Sequence, residues 1–287
     1  MEELIAKARV LVEALPYISE FRGKTVVVKI GGAALEDPVL RRNFAEDLIL
    51  LDWVGIDLVV VHGGGKQITQ MLDRVGQKAT FVDGQRVTDA PTLEVVEMVL
   101  GGSINQELVR LVNHMGGAAV GITGCDGGLA RATITRPELG LVGEVTTVDR
   151  TVIDRLLPDY IPVVAPLATG PDGNALNVNA DVFAARLAQA LGAEKLVLLT
   201  DIAGVLDGER RLISSLTAAD ARALIAQGVI SGGMIPKVEQ ALTALGAGVH
   251  KIHIIDGRLE HALLLEIFTR EGVGTQVVST REQGVTP

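Results

Sequence analysis

The sequence predicts an α/β protein, a three-layer αβα sandwich with a largely parallel central sheet and two lobes. Three observations carry this. The runs VVVKI (26–30), DLVVVH (57–62), IPVVA (161–165), KLVLLT (195–200) and KIHII (251–255) read as strands buried on both faces. Segments of helical period lie between them. Turn residues separate the two kinds, and the sequence has no repeat, low-complexity segment or long linker. Residues 1–189 are expected to form the N-terminal lobe and residues 190–287 the C-terminal lobe.

Composition narrows the function. The 287 residues are 48% hydrophobic and 21% charged, as in an ordinary globular protein. Aromatics are 3%, so Val, Leu, Ile and Ala build the core, and a base-stacking platform is disfavoured. A net charge of −9 without a Lys/Arg-rich run argues against nucleic acid and membrane surfaces as partners. The single cysteine, Cys125, excludes an intrachain disulfide and fits a reducing cytoplasm. The five histidines show no ligand spacing, so no metal-binding residue is expected. The apolar stretch Leu48–Val61 is broken by Asp52 and Asp57 and is too short to span a bilayer. Glu2 and Glu3 are unlike the start of a signal peptide, so a cytoplasmic location is expected.

The elements follow in order. Ile5, Ala8, Leu11, Val12 and Leu15 give a helix over residues 6–18 that Pro16 should end or kink. Its apolar face docks either on a partner subunit or on its own domain. VVVKIGG then puts Lys29 at the carboxyl end of a central strand, where open α/β sheets bind ligands. Gly31 and Gly32 offer backbone amides that an anion can approach closely, although alone they also fit an ordinary strand end. Asp37-Pro38 caps a helix running to about Val54. The strand 57–62 feeds Gly63-Gly64-Gly65-Lys66-Gln67 and a helix to about Gly76, an arrangement that presents amides and a positive dipole to an anion. It matches neither G-x-G-x-x-G nor the P-loop. Lys78–Thr88 reads as a hairpin turning at Asp83-Gly84, with Arg86 on its return arm.

Helices follow at 91–100 and 104–114, a strand at 118–122, a loop at 124–128, short β segments over 129–148 and a helix at 151–157. GNALNVNAD (173–181) is the second unusual stretch. Its Asn177, Asn179 and Asp181 fall on one side if the segment is extended, just before a helix at 182–191. One of them can cap that helix; three exceed that need. In the last third, helices are expected at 218–227 and 261–268 and a strand at 275–278. A glycine turn at 231–237 leads into a further helix, with Lys237 in its first turn. A lysine there opposes the helix dipole unless something anionic sits near it.

VVVKIGG, VVHGGGKQI, DGQRVTDAPTLEVVEMVLGG, NALNVNAD, KLVLLTDIAGVL, GGMIPKVEQAL and IIDGRLEHALLLEIFTREGVGT, in this order, resemble the amino acid kinase family over nearly the whole chain. Within it they are similar to the kinases that use ATP and Mg²⁺ to phosphorylate the side-chain carboxylate of N-acetyl-L-glutamate in arginine biosynthesis. The resemblance implies the amino acid kinase fold. It implies that Lys29 and Lys237 are catalytic and that Asp181 holds both. Gly31, Gly32, Gly64 and Gly233 would bind phosphate. Gly64, Gly65, Arg86, Asn177 and Asn179 would bind acetylglutamate, Arg86 on its α-carboxylate. Thr200, Asp201, Gly204, Val205, Met234 and Lys237 would line the nucleotide site, with Mg²⁺ held mainly through the ATP phosphates. A carboxylate nucleophile is ionised at pH 7, so no general base is needed.

Three positions depart from the family pattern: Ala33 where asparagine is usual, Lys66 where proline is common, and Thr123-Gly124-Cys125-Asp126-Gly127 in place of S-G-K-D-G. The N-terminal helix and the C-terminal tail resemble the arginine-inhibited members, which assemble as ring-shaped hexamers, trimers of dimers. Tyr17, Lys195, His261, Glu271 and Gly274 would then contact L-arginine. The alternatives are a sibling kinase for another N-modified acidic amino acid, such as a carrier-linked aminoadipate, and a non-catalytic arginine or nucleotide sensor. Retention of both lysines and Asp181 argues against a sensor.

Overall fold

The computed structural model of the chain describes residues 1–232, 234–246, 248–249, 251–269 and 272–278. Eight strands form one sheet: β1 (Thr25–Ile30), β2 (Asp57–His62), β5 (Ala119–Thr123), β8 (Ile161–Ala165), β11 (Lys195–Thr200), β12 (Ser215–Thr217), β13 (Lys251–Asp256) and β14 (Thr275–Val278). Their order is β12-β14-β13-β11-β1-β2-β8-β5, and only β13 and β14 pair antiparallel. A four-stranded sheet, in the order β10-β9-β6-β7, is built from β6 (Ala130–Thr133), β7 (Glu144–Val148), β9 (Leu167–Thr169) and β10 (Ala175–Asn177). The expected hairpin is β3 (Phe81–Val82) and β4 (Gln85–Arg86). Both of its turn residues have positive φ, 50° at Asp83 and 76° at Gly84, which matches the right-handed twist of the paired arms.

Strand β1 lies centrally because both its faces are apolar. Val26, Val28 and Ile30 join the cluster that includes Leu48, Leu108 and Leu263 from three helices on one side. Val27 joins Phe183, Leu187 and Val238 on the other. The sheet runs unbroken across residue 190, since β1 pairs with β11 on one edge and β2 on the other. The carboxyl ends of β1, β2 and β11 therefore lie side by side.

Three expectations need correction. Pro16 does not end the first helix, which runs from Glu2 to Phe21. Pro16 and Val12 lie on the exposed side of the helix, where a backbone group without its helical partner costs least. The helix face is not packed on its own domain, as Leu4, Leu11, Val12 and Leu15 are all exposed. The two helices expected at 91–100 and 104–114 join into one path, because Met98–Ile104 forms a π-helical turn between Ala90–Glu97 and Asn105–His114. Poor helix formers, Gly101-Gly102-Ser103, sit in that turn. A short helix, Ala33–Glu36, also precedes the one capped by Asp37, whose Oδ1 accepts from Val39 and Leu40 N–H.

Gly124 sits where backbones meet. A Cβ there would lie 2.0 Å from the Leu167 carbonyl oxygen and 2.6 Å from the Phe183 ring. Gly124→Ala is expected to cost about 1–3 kcal/mol through overpacking, read as a lowered midpoint in denaturant unfolding; an unchanged midpoint would contradict this packing.

Candidate active site

Lys29 is nearly buried and its Nζ lies 2.7 Å from Asp181 Oδ1. Asp181 reaches it from the first turn of the helix Ala180–Leu191. The cap of that helix is Asn179, whose Oδ1 accepts from the N–H of Asp181 at 2.9 Å and of Val182 at 3.2 Å. Capping by Asn179 leaves the Asp181 carboxylate free to face the lysine, and the helix dipole favours a negative charge there. Burial alone would raise the Asp181 pKa. The charge of Lys29, its hydrogen bond and the charge of Lys237 outweigh this and hold the carboxyl below its usual range. Lys237, half-buried, is pushed down by burial, opposed by Asp181 and reinforced by Lys29. Two cations therefore share one carboxylate at the carboxyl ends of the strands.

The glycine turns are shaped around this cluster. A Cβ on Gly31 would lie 2.9 Å from Lys29 Nζ. Gly32 has φ 57°, and a Cβ on it would lie 2.3 Å from the Asp201 carboxylate oxygens. That carboxylate accepts from the Ala33 N–H at 2.8 Å, tying the end of β11 to the turn after β1. A Cβ on Gly64 would lie 2.4 Å from Ile104 and 2.6 Å from Leu100 of the π-helical turn. Gly65 opens the helix Gly65–Arg74, and beside it Lys66 pairs with Glu36.

A cavity of about 210 Å³ lies beyond the second turn, lined among others by Gly64, Gly65, Arg86, Asn177 and Asn179. All five expected acetylglutamate-side residues therefore meet there. Arg86 donates through Nη2 to the Gly65 carbonyl at 2.7 Å and to Thr69 Oγ1 at 2.8 Å, and its guanidinium stacks 4.8 Å from the Phe81 ring centroid. Its Nη1 is buried with no partner among the described residues. Such a fork suits a carboxylate. Asn177 donates to Thr88 Oγ1 at 3.2 Å. The segment is not extended throughout: Asn177 ends β10, and Asp181 points to Lys29 from within a helix.

On the nucleotide side, Thr200 and Asp201 sit at the carboxyl end of β11. Gly204 and Val205 pack against β14, the Val205 N–H donating to Thr275 Oγ1 at 2.7 Å. Met234 opens the helix that carries Lys237. Gly233 lies outside the described residues, as does Glu271.

A separate cavity of about 600 Å³ opens between the end of the first helix and the sheet edge, with Tyr17, Lys195 and Gly274 on its wall. His261 is elsewhere: its Nδ1 lies 2.6 Å from Asp47 Oδ1, which anchors the helix Ala262–Ile267 to the helix Pro38–Trp53. Titratable residues that the sequence does not single out line the cavity instead, His253 and Glu266 among them. Glu266 takes Lys195 Nζ at 3.3 Å and His253 Nδ1, and it accepts from the Val273 N–H at 3.2 Å. Burial would raise the Glu266 pKa, but these partners hold it below its usual range. A histidine inside KIHII and a glutamate inside LLLEIF were the available signals, since charges in apolar runs need partners.

A buried lysine–aspartate pair between two glycine turns, with a second lysine in range, defines a site for transfer of an anionic group. The amino acid kinase family model matches residues 24–256, and the chain belongs to that family. Acetylglutamate kinase of Geotalea uraniireducens (strain Rf4) is 51% identical over 97% of this chain and 100% of its own length. Acetylglutamate kinase of Acinetobacter baylyi is 52% identical over 96% of this chain and 95% of its own. Among solved structures, N-acetylglutamate synthase from Neisseria gonorrhoeae complexed with coenzyme A and L-arginine superposes with a TM-score of 0.81 at 27% identity. The match covers 95% of this chain, which spans 65% of the synthase chain. Carbamate kinase from Giardia lamblia bound to AMP-PNP, at 15% identity and a TM-score of 0.64, shares the fold.

His62, buried at the end of β2, is pushed down by burial from about 6.5 to about 4, partly opposed by its bond to the Gly63 carbonyl. Between those values the unfolded chain binds a proton that the folded chain refuses, so this contribution to stability is lost as pH falls from 6.5 towards 4. Denaturant unfolding at pH 7 and 4.5 is expected to show an acid loss about 2 kcal/mol larger for the native chain than for His62→Asn. Equal losses would mean that His62 is not held neutral.

Proposed function

We propose that this chain transfers the γ-phosphoryl group of ATP to the side-chain carboxylate of N-acetyl-L-glutamate, giving the acyl phosphate used in arginine biosynthesis. The observation that carries this reading is the Lys29–Asp181 pair, with Lys237 in range, set between two glycine turns. The acetylglutamate kinases of the two species above support the choice of substrate.

The two reactants repel each other, both being anionic, so the site must supply cations and aimed amides rather than a base. Lys29 and Lys237 flank the phosphoryl group in transit, and Asp181 keeps their ammonium groups oriented towards it. Gly31, Gly32, Gly64 and Gly233 give it backbone N–H groups. Arg86 Nη1 takes the α-carboxylate of acetylglutamate, and Asn177 and Asn179 hold its remaining polar groups. Asn179 does so through its amide nitrogen, because its oxygen is used by the cap. Thr200, Asp201, Gly204, Val205 and Met234 line the ATP side. Among the described residues no three His, Cys, Asp or Glu side chains form a metal cage. Asp181 is already shared by two lysines, so Mg²⁺ arrives on the nucleotide phosphates. In this reading residues 1–189 carry the acetylglutamate side and residues 190–287 the ATP side.

The large cavity is proposed as an L-arginine inhibitor site. Glu266 suits the guanidinium and Lys195 the carboxylate, with Tyr17 and Gly274 on the wall. The exposed apolar face of the first helix suits assembly into a hexamer, which would bring a second copy close to this cavity. No helix among the described residues is long and apolar enough to cross a membrane, and we assign the enzyme to the cytoplasm.

Lys237→Ala is expected to lower turnover at least 10²-fold in a coupled ADP-release assay while acetylglutamate still binds by calorimetry. Near-normal turnover would remove Lys237 from the mechanism. L-Arginine is expected to raise the acetylglutamate concentration needed for half-maximal rate, and Glu266→Gln to weaken that effect at least tenfold. Full arginine sensitivity in Glu266→Gln would place the effector elsewhere.

A further inference from the structure

We propose that His62 is a positioning residue for phosphoryl transfer: it pins the Gly63 carbonyl so that the Gly64 N–H is aimed into the cleft. The proposal rests on the reading of Gly64 as a donor to the transferred group.

Asn105, fully buried at the end of the π-helical turn, places its Nδ2 2.8 Å from the Val163 carbonyl and 3.3 Å from that of Ile122. Carbonyl oxygens only accept, so the atom facing them is the amide nitrogen and not the oxygen. The same nitrogen lies 3.3 Å from His62 Nε2, a neighbour that suits an unprotonated ring nitrogen, and the Gly63 carbonyl at Nδ1 requires the ring's donor there. The proton of the neutral imidazole is left on Nδ1, which donates to the Gly63 carbonyl at 3.0 Å.

Gly63 is held from its other end as well, because its N–H donates to the Ile30 carbonyl of β1 at 2.8 Å. The Ile30 bond fixes the His62–Gly63 peptide plane, and the imidazole bond to the Gly63 carbonyl fixes the next one, Gly63–Gly64. Across a trans peptide the C=O and the next N–H point in opposite directions. Drawing the Gly63 oxygen towards the buried imidazole therefore turns the Gly64 N–H the other way, to the cleft side that Lys29 faces. No acceptor for that N–H exists among the described residues. A glycine peptide left unpinned would sample both orientations, and half of them would turn a carbonyl oxygen towards the phosphoryl group. His62 removes the wrong one. The role also fits a feature of the sequence: a fully buried histidine follows the apolar run Leu58–Val61 of β2.

The variants His62→Asn and His62→Leu are nearly identical in shape, and only the asparagine keeps a donor at the Nδ1 position. Steady-state kinetics with ATP and N-acetylglutamate are expected to show kcat lowered 10²–10³-fold in His62→Leu, with KM for acetylglutamate changed less than threefold. His62→Asn should recover at least tenfold of the lost kcat. His62→Gln, whose amide reaches the Nε2 position instead, should not, and it serves in the same comparison if His62→Leu fails to fold. Equal kcat in the asparagine and glutamine variants, or a loss confined to KM, would overturn the proposal. Absence of acetylglutamate-dependent turnover in the native protein would instead overturn the reading on which it rests.

Discussion

The site depends on one charge arrangement: the Asp181 carboxylate, facing the ammonium group of Lys29 at 2.7 Å and felt by Lys237, on which Asp201 also acts. Two like charges held close in a partly dry cleft repel, and without an anion between them neither would stay. Asp181 supplies that anion in the absence of any phosphate. The fold supplies Asp181, because Asn179 takes the capping duty and releases the carboxylate. A residue usually explained by helix capping is thus freed for electrostatics by a neighbour two positions earlier.

The rest of the cleft is backbone. Gly31, Gly32 and Gly64 each lack a side chain because something occupies that space: the Lys29 ammonium, the Asp201 carboxylate, and Leu100 with Ile104. In the three-glycine run close packing accounts for Gly64 alone, since a Cβ on Gly63 would meet only ordinary contacts and one on Gly65 none. Asp201 and His62 act behind it, one binding the Ala33 N–H and the other the Gly63 carbonyl.

Much of this was legible in the sequence. The order of strands and helices followed from β-branched runs and glycine breaks, and the meeting of Arg86, Asn177 and the glycine turn from motifs that strand spacing alone would not join. Pro16 does not end its helix because the rule against internal proline weighs most where the freed carbonyl is buried, and here Val12 and Pro16 are exposed. The π-helical turn was hidden because Gly101-Gly102 reads as a break. Nothing in the sequence sets His253 and Glu266 above His261 and Glu271, since position in a chain does not reveal which titratable groups face each other across β13 and the helix Ala262–Ile267. Only the fold shows that His261 is spent on Asp47.

A double-mutant cycle tests the shared-carboxylate account most directly. Turnover would be measured for the native protein, Lys29→Met, Asp181→Asn and the double variant, with ATP and N-acetylglutamate as substrates. If Asp181 acts by ordering the lysines, the double variant should be hardly slower than Lys29→Met alone, a coupling of about 2 kcal/mol or more. Losses that simply add would contradict it, and would mean that the carboxylate and the lysine serve the reaction independently.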